Sequence, residues 1–128
     1  MKALKHFISI LTLGLLLTSC VQKQHMKTVT FKVDMNAIEK VGQVGLRGEF
    51  INSSWKQTIV LTDLDKDGIY EVTLSQETAQ NTAEFKFTHN GTYELKGENN
   101  RKLNLEYKPE KLVYEAVFNN PKGNQTLN

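Results

Sequence analysis

The chain has 128 residues, of which 16 are Lys or Arg and 14 are Asp or Glu, with a single cysteine and a single tryptophan. That length allows one domain with a buried core, and one cysteine excludes an internal disulfide framework. Setting aside Lys2 and Lys5 of the leader leaves 14 basic against 14 acidic residues, a balance with no electrostatic footprint for nucleic acid.

The leader comes first. Met1 to Lys5 is basic, and Phe7 to Leu17 is an apolar run too short to span a bilayer comfortably. It ends in Leu17-Thr18-Ser19-Cys20, which resembles the lipobox of bacterial lipoproteins. The resemblance implies a signal peptide over 1–19, cleavage before Cys20 and lipidation of its thiol. A plain secretory signal and a single membrane anchor are the other readings of the same leader. With lipidation, the protein is expected at a bacterial cell envelope, held to the membrane through its lipid. Asp is absent after Cys20, which by analogy with enteric bacteria favours the outer membrane and leaves the leaflet open. Residues 20–27 then read as the lipidated cysteine and a polar tether.

From Thr28 the pattern changes. Val29, Phe31 and Val33 alternate with Thr30 and Lys32, the period of a half-buried strand. Val44 to Gly48 reads as a second strand. Glu49 to Lys56 is a connection carrying Trp55, and Thr58 to Thr62 is a short third strand. The turn Asp63-Leu64-Asp65-Lys66-Asp67-Gly68 leads to a strand with Tyr70, Val72 and Leu74 on one face, followed by a polar loop from Ser75. Ala83 to Arg101 holds two strands about a polar turn, with Phe85 and Phe87 on one face and Glu84, Lys86 and Thr88 on the other. Leu103, Leu105 and Tyr107 alternate until Pro109 breaks the run. Leu112, Tyr114, Ala116 and Phe118 complete the domain, and 119–128 reads as a frayed polar tail. Seven or eight short strands without a helical period predict an all-β, immunoglobulin-like antiparallel sandwich over 28–118.

Little in this chain suits catalysis. After the leader the histidines are His25 and His89, and no nucleophile elbow, phosphate loop or Cys/His metal cluster occurs. The expectation is a non-enzymatic protein without a cofactor. Asp63, Asp65 and Asp67 have the spacing of a calcium loop, but Leu74 stands where the bidentate Glu belongs and both flanks read as strands. A hairpin turn is the favoured reading, with weak calcium binding as the alternative. Trp55, Lys86, Tyr93 and Asn100 form the other candidate set. Flat aromatics cover the C–H face of a sugar ring while amide and ammonium groups reach its hydroxyls. Each of the four also has an ordinary structural role open to it: a core Trp, a solvated Lys, a cross-strand Tyr and a turn-capping Asn.

Seven short motifs in order resemble the starch-binding domains of carbohydrate-binding module family twenty and the related glycogen-binding modules. They are Val29-Thr30-Phe31-Lys32-Val33, Val44-Gly45-Leu46-Arg47-Gly48, Ser54-Trp55, Ile69-Tyr70-Glu71-Val72, Glu84-Phe85-Lys86-Phe87, Tyr93-Glu94 and Asn100-Arg101. The resemblance implies non-catalytic binding of a starch- or glycogen-type α-glucan, with Trp55, Lys86, Tyr93 and Asn100 at the family's main site. Three departures stand out: Tyr93 replaces a Trp, Ser54 precedes Trp55, and the stretch from Tyr93 to Asn100 is about two residues longer than in the family. An envelope module that uses the same sandwich to dock a protein partner is the alternative function.

Overall fold

The computed structural model describes residues 21–50 and 55–128, so the leader and the lipidation site at Cys20 lie outside the described residues. Among the described residues there are nine strands and no helix. They are β1 (His25–Asp34), β2 (Val44–Gly48), β3 (Ile59–Leu61), β4 (Ile69–Thr78), β5 (Thr82–His89), β6 (Thr92–Tyr93), β7 (Arg101–Asn104), β8 (Glu110–Val117) and β9 (Gly123–Leu127).

Two sheets face each other in a sandwich. One has the order β4-β1-β8-β9. The other runs β3-β2-β5, with β6 and β7 sharing the far edge of β5. The alternation of apolar residues decides which face is buried. Val29, Phe31 and Val33 of β1 lie opposite Leu74, Val72 and Tyr70 of β4, and beside Leu112, Tyr114 and Ala116 of β8. This face meets Leu46, Phe85, Phe87 and Leu103 of the other sheet. The rings of Phe31 and Tyr114 both stand edge-on to Phe85, at 5.0 and 4.9 Å. Edge-to-face packing of this kind adds to the area term.

The sandwich therefore agrees with the alternation, and four details differ from it. The pair β1–β8 is parallel, so the sandwich is not wholly antiparallel, and the strands number nine rather than seven or eight. The first strand starts at His25, inside the expected tether, and Lys27 is 1% exposed. Its ammonium donates to the Glu106 and Lys108 carbonyls and to the Glu110 carboxylate, 2.7 Å away. Those acceptors lie some eighty residues downstream, which is why Lys27 looks solvated in a local reading. The strand β4 continues to Thr78 through the expected polar loop, because its outward hydroxyls are part of a ladder. Ser75 bonds Thr28 at 2.9 Å, and Thr73 bonds Thr30 at 2.8 Å.

The fourth difference is the tail. Residues 123–127 are paired with β8 rather than frayed. The Gln125 amide also ties β9 to the other sheet: it accepts from the Asn104 N–H at 3.0 Å and donates to the Asn104 carbonyl at 2.7 Å. A polar strand holds here because its backbone pairs with β8 along one edge and Gln125 is satisfied by Asn104, while its other side chains face solvent.

Breaking the Lys27–Glu110 pair strands a buried carboxylate. Lys27→Met is expected to lower the unfolding free energy by about 3 kcal/mol or more, read from urea denaturation. Adding Glu110→Gln should recover part of the loss. A Lys27→Met midpoint equal to wild type would show that the buried pair contributes nothing to the fold.

Candidate functional site

The site lies on the outer face of the β3-β2-β5 sheet. Ala83, Phe85 and Phe87 of β5 go into the core, which turns Glu84 and Lys86 outward. The strand ends in a two-residue hairpin loop, Asn90-Gly91, with both residues at positive φ (51° and 80°). That conformation suits Asn-Gly and matches the twist of the flanking strands. The chain returns as β6, and Tyr93 pairs with Thr88.

After Tyr93 the chain leaves the sheet. The Glu94 side chain turns into the interior and meets Arg101, which starts β7. The Arg101 Nε donates to Glu94 Oε1 at 2.6 Å and an Arg101 terminal nitrogen to Oε2 at 2.9 Å. Glu94 also accepts the backbone N–H groups of Phe87 and Asn119 at 3.0 Å each. Burial opposes the Arg101 charge, but the hydrogen-bonded Glu94 carboxylate holds the guanidinium pKa above its usual value. The loop 94–101 is thus closed at its base, and the residues that precede each member of the clasp in the chain, Tyr93 and Asn100, are exposed. Lys86 supports the loop from below, donating to the carbonyls of Leu95 and Glu98 at 3.0 Å each.

Trp55 arrives from the other side. Its N–H donates to the Gly48 carbonyl at 3.1 Å, and its backbone is left-handed, with φ 30°. Such a conformation is uncommon for a bulky side chain and costs on the order of 1–3 kcal/mol. The Trp55 and Tyr93 ring centroids are 6.0 Å apart, with the planes inclined at 62°. The Tyr93 hydroxyl donates to the Trp55 carbonyl at 3.4 Å. Trp55, Lys86, Tyr93 and Asn100 line one open groove of about 650 Å³, joined by Thr92 and Lys96. The structure therefore brings together all four residues singled out in the sequence.

The groove combines tilted aromatic surface with unsaturated polar groups. Lys86 has three N–H donors and commits two to carbonyls. Asn100 donates to Glu84 Oε2 at 3.2 Å, keeping its carbonyl and a second N–H. Arg101, anchored beside it, holds Asn100 on the groove. The sequence reading missed the Glu94–Arg101 clasp. Both residues lie in its motifs, but their contact across seven positions has no periodic signature.

The acidic turn is separate from this groove. Carboxylate oxygens of Asp63, Asp65 and Asp67 lie within 4.8 Å of one another, an arrangement of hard oxygen ligands that suits a calcium-type cation. The turn is also complete in itself. Asp63 accepts the N–H groups of Asp67 and Gly68 at 3.2 and 2.9 Å, and Asp67 accepts that of Ile69 at 2.9 Å. Gly68 is required on two grounds: its φ is +84°, and a Cβ there would fall 2.1 Å from the Asn36 side-chain oxygen. Desolvation acts to raise the Asp63 pKa, but hydrogen bonds from Gly68, Asp65 and Asp67 bring it below its ordinary value. The Asp65 carboxyl is pushed up, first by its hydrogen bond with Asp63, then by desolvation and by Asp67.

No protein-family model and no curated protein sequence matches this chain. Several solved structures are similar to it, among them two modules of one enzyme. One is the CBM25-2 module of the β/α-amylase from Paenibacillus polymyxa, with a TM-score of 0.50 and 13% identity over 81% of this chain and 94% of that one. The other is CBM25-1 of the same enzyme, with a TM-score of 0.45 and 12% identity over 80% and 93% of the two chains. The sandwich has the fold of a carbohydrate-binding module. The first of these modules carries the family number 25, whereas the short motifs resemble family twenty; the fold is what it shares with this chain.

The carboxylate shifts predict opposite effects from neighbouring substitutions. The folded pKa of Asp63 is depressed, so its carboxylate stabilises the fold above the ordinary value of 3.8, and the contribution is lost as pH falls through the folded pKa. The folded pKa of Asp65 is raised, so its ionised form opposes folding at neutral pH and is neutral to folding below 3.8. Asp63→Asn should lower the melting temperature at pH 7 and Asp65→Asn should raise it. Both differences should shrink toward pH 3 (on the order of one unit below an ordinary carboxyl). Shifts of the same sign at pH 7 would contradict this assignment.

Proposed function

We propose that this protein binds an α-glucan of the starch or glycogen type, without catalysis, while held at a bacterial cell envelope by a lipid on Cys20. The observation that carries the reading is the convergence of Trp55, Lys86, Tyr93 and Asn100 on one groove. Trp55 and Tyr93 cover sugar-ring faces. Lys86 offers its remaining N–H, and Asn100 its carbonyl and free N–H, to ring hydroxyls. The fold, shared with a carbohydrate-binding module of an amylase, supports the same reading.

The tilt of the platform favours a curved chain. Two ring planes inclined at 62° cannot both lie flat on a straight ribbon whose sugar faces are parallel. An α-linked glucan turns from one residue to the next and presents faces at an angle. Covering a ring face contributes on the order of 1–2 kcal/mol of apolar burial. Two rings and a few hydrogen bonds then give a dissociation constant of about micromolar to millimolar. Anchoring such a weak binder raises the local glucan concentration for envelope enzymes or transporters.

The single tryptophan gives a direct assay. Trp55 emission in the tether-free domain is expected to change on titration with a long maltodextrin and to stay flat with cellulose oligomers. Trp55→Ala, which removes the fluorophore and is therefore read by calorimetric titration with maltodextrin, should abolish binding with the melting temperature preserved. A folded domain with no response at millimolar maltodextrin would rule out the glucan reading. The anchor is tested separately: the full chain should partition into detergent after lipidation, and Cys20→Ser should leave it in the aqueous phase. Equal partitioning of the two would remove the lipid anchor.

A further inference from the structure

We infer that Arg47 is a positioning residue for the sugar platform, fixing the Tyr93 ring at its tilt against Trp55 and thereby setting the preference for a curved glucan. The inference rests on the glucan reading of the groove. It adds a residue that lies outside the set lining that groove.

Arg47 stands at the outward position of β2. Its neighbours Leu46 and Gly48 are buried, and its backbone pairs with that of Lys86. The side chain is half-buried and crosses the face of the sheet. Its Nε donates to the Thr58 hydroxyl at 2.7 Å, which pins the guanidinium plane. The guanidinium carbon lies over the Tyr93 ring, 5.7 Å from the centroid. Among the described residues no carboxylate forms an ion pair with Arg47. Its charge is therefore available to the electron-rich face of the ring.

Tyr93 needs such support. It ends a strand of two residues at the edge of the sheet, paired on one side only. Without lateral contacts its two side-chain torsions would let the ring swing. Arg47 lies over one face, the Trp55 ring meets it at 62°, and the hydroxyl reaches the Trp55 carbonyl. Those contacts set the orientation before a sugar arrives, and binding to a preorganised surface loses less to ordering. With one face taken by Arg47, a sugar stacks on the other.

The test is a double-mutant cycle read by Trp55 fluorescence with maltodextrin. Arg47→Gln is expected to weaken binding about two- to fivefold, with an unchanged melting temperature. It should add nothing in a Tyr93→Ala background, because its effect passes through that ring. Arg47→Lys, which keeps the cation but not the Thr58 hydrogen bond, should restore part of the loss. No loss in Arg47→Gln, or the same loss with Tyr93 absent, would overturn the inference; the second result would mean that Arg47 touches sugar itself.

A sugar-free measurement keeps the two readings distinguishable. In Thr58→Val the guanidinium is unpinned without altering either ring. The Tyr93 ring proton resonances should shift and the Arg47 side-chain protons should lose their ring-current displacement. Unchanged resonances would overturn the positioning role whether or not the wild type binds glucan. Loss of glucan binding in the wild type, with these shifts present, would leave Arg47 as the residue that orders Tyr93 and remove only its link to sugar.

Discussion

The Glu94 carboxylate and the Arg101 guanidinium, both with fully buried side chains, hold the molecule together at the point where the sheet edge opens. Neither charge is isolated. Glu94 accepts from Phe87 and Asn119 as well as from Arg101. Arg101 also donates to the carbonyls of Val117, Asn120 and Lys122 and lies over the Phe87 ring at 5.5 Å. Desolvating two charges is costly, and a bare pair in this place would stabilise little. A network that satisfies nearly every donor and acceptor changes that balance, and it also specifies one geometry. The clasp joins β5, the start of β7, the end of β8 and the turn into β9.

The groove is a consequence of this clasp. A continuous edge strand from Thr92 to Asn104 would have paired with β5 along its whole length. The clasp instead pulls Glu94 inward, so that the edge is split into β6 and β7, Leu95 stays buried and residues 96–100 bulge outward. Lys86, opposite the gap, loses a strand neighbour and gains the Leu95 and Glu98 carbonyls. The side chains flanking the gap, Tyr93 and Asn100, are the ones presented to solvent. The groove is thus made by interrupting a sheet, and the buried pair makes that interruption stable. Trp55 completes the face at the cost of a left-handed backbone, a form of strain found where the surrounding structure fixes a functional side chain.

Much of this was legible from local pattern. Alternation put Phe85 and Phe87 inside and Lys86 outside, and Asn90-Gly91 marks the hairpin that delivers Tyr93 beside Thr88. The resemblance to starch-binding domains grouped Trp55 with Lys86, Tyr93 and Asn100, and the structure places them on one groove. The misses share one physical character. Lys27, Glu94, Arg101 and Gln125 are polar residues whose partners lie on other elements of the fold, outside any local period. A local reading assigns such residues to solvent, because burial of a charge is favourable only once its partner is in place. The polar end of β4 and the whole of β9 look like loop and tail because their pairing partners are equally remote.

The sequence by itself determined the all-β character and the inward and outward faces of β1, β4, β5 and β8. Side-chain period and turn composition are local properties, and they survive without knowledge of the fold. Only the tertiary structure decided the parallel pairing of β1 with β8, the capture of the C-terminal segment as β9, and the 62° inclination of Trp55 to Tyr93 under Arg47. Each depends on groups separated along the chain becoming neighbours, and on their hydrogen bonds and charges being satisfied only there.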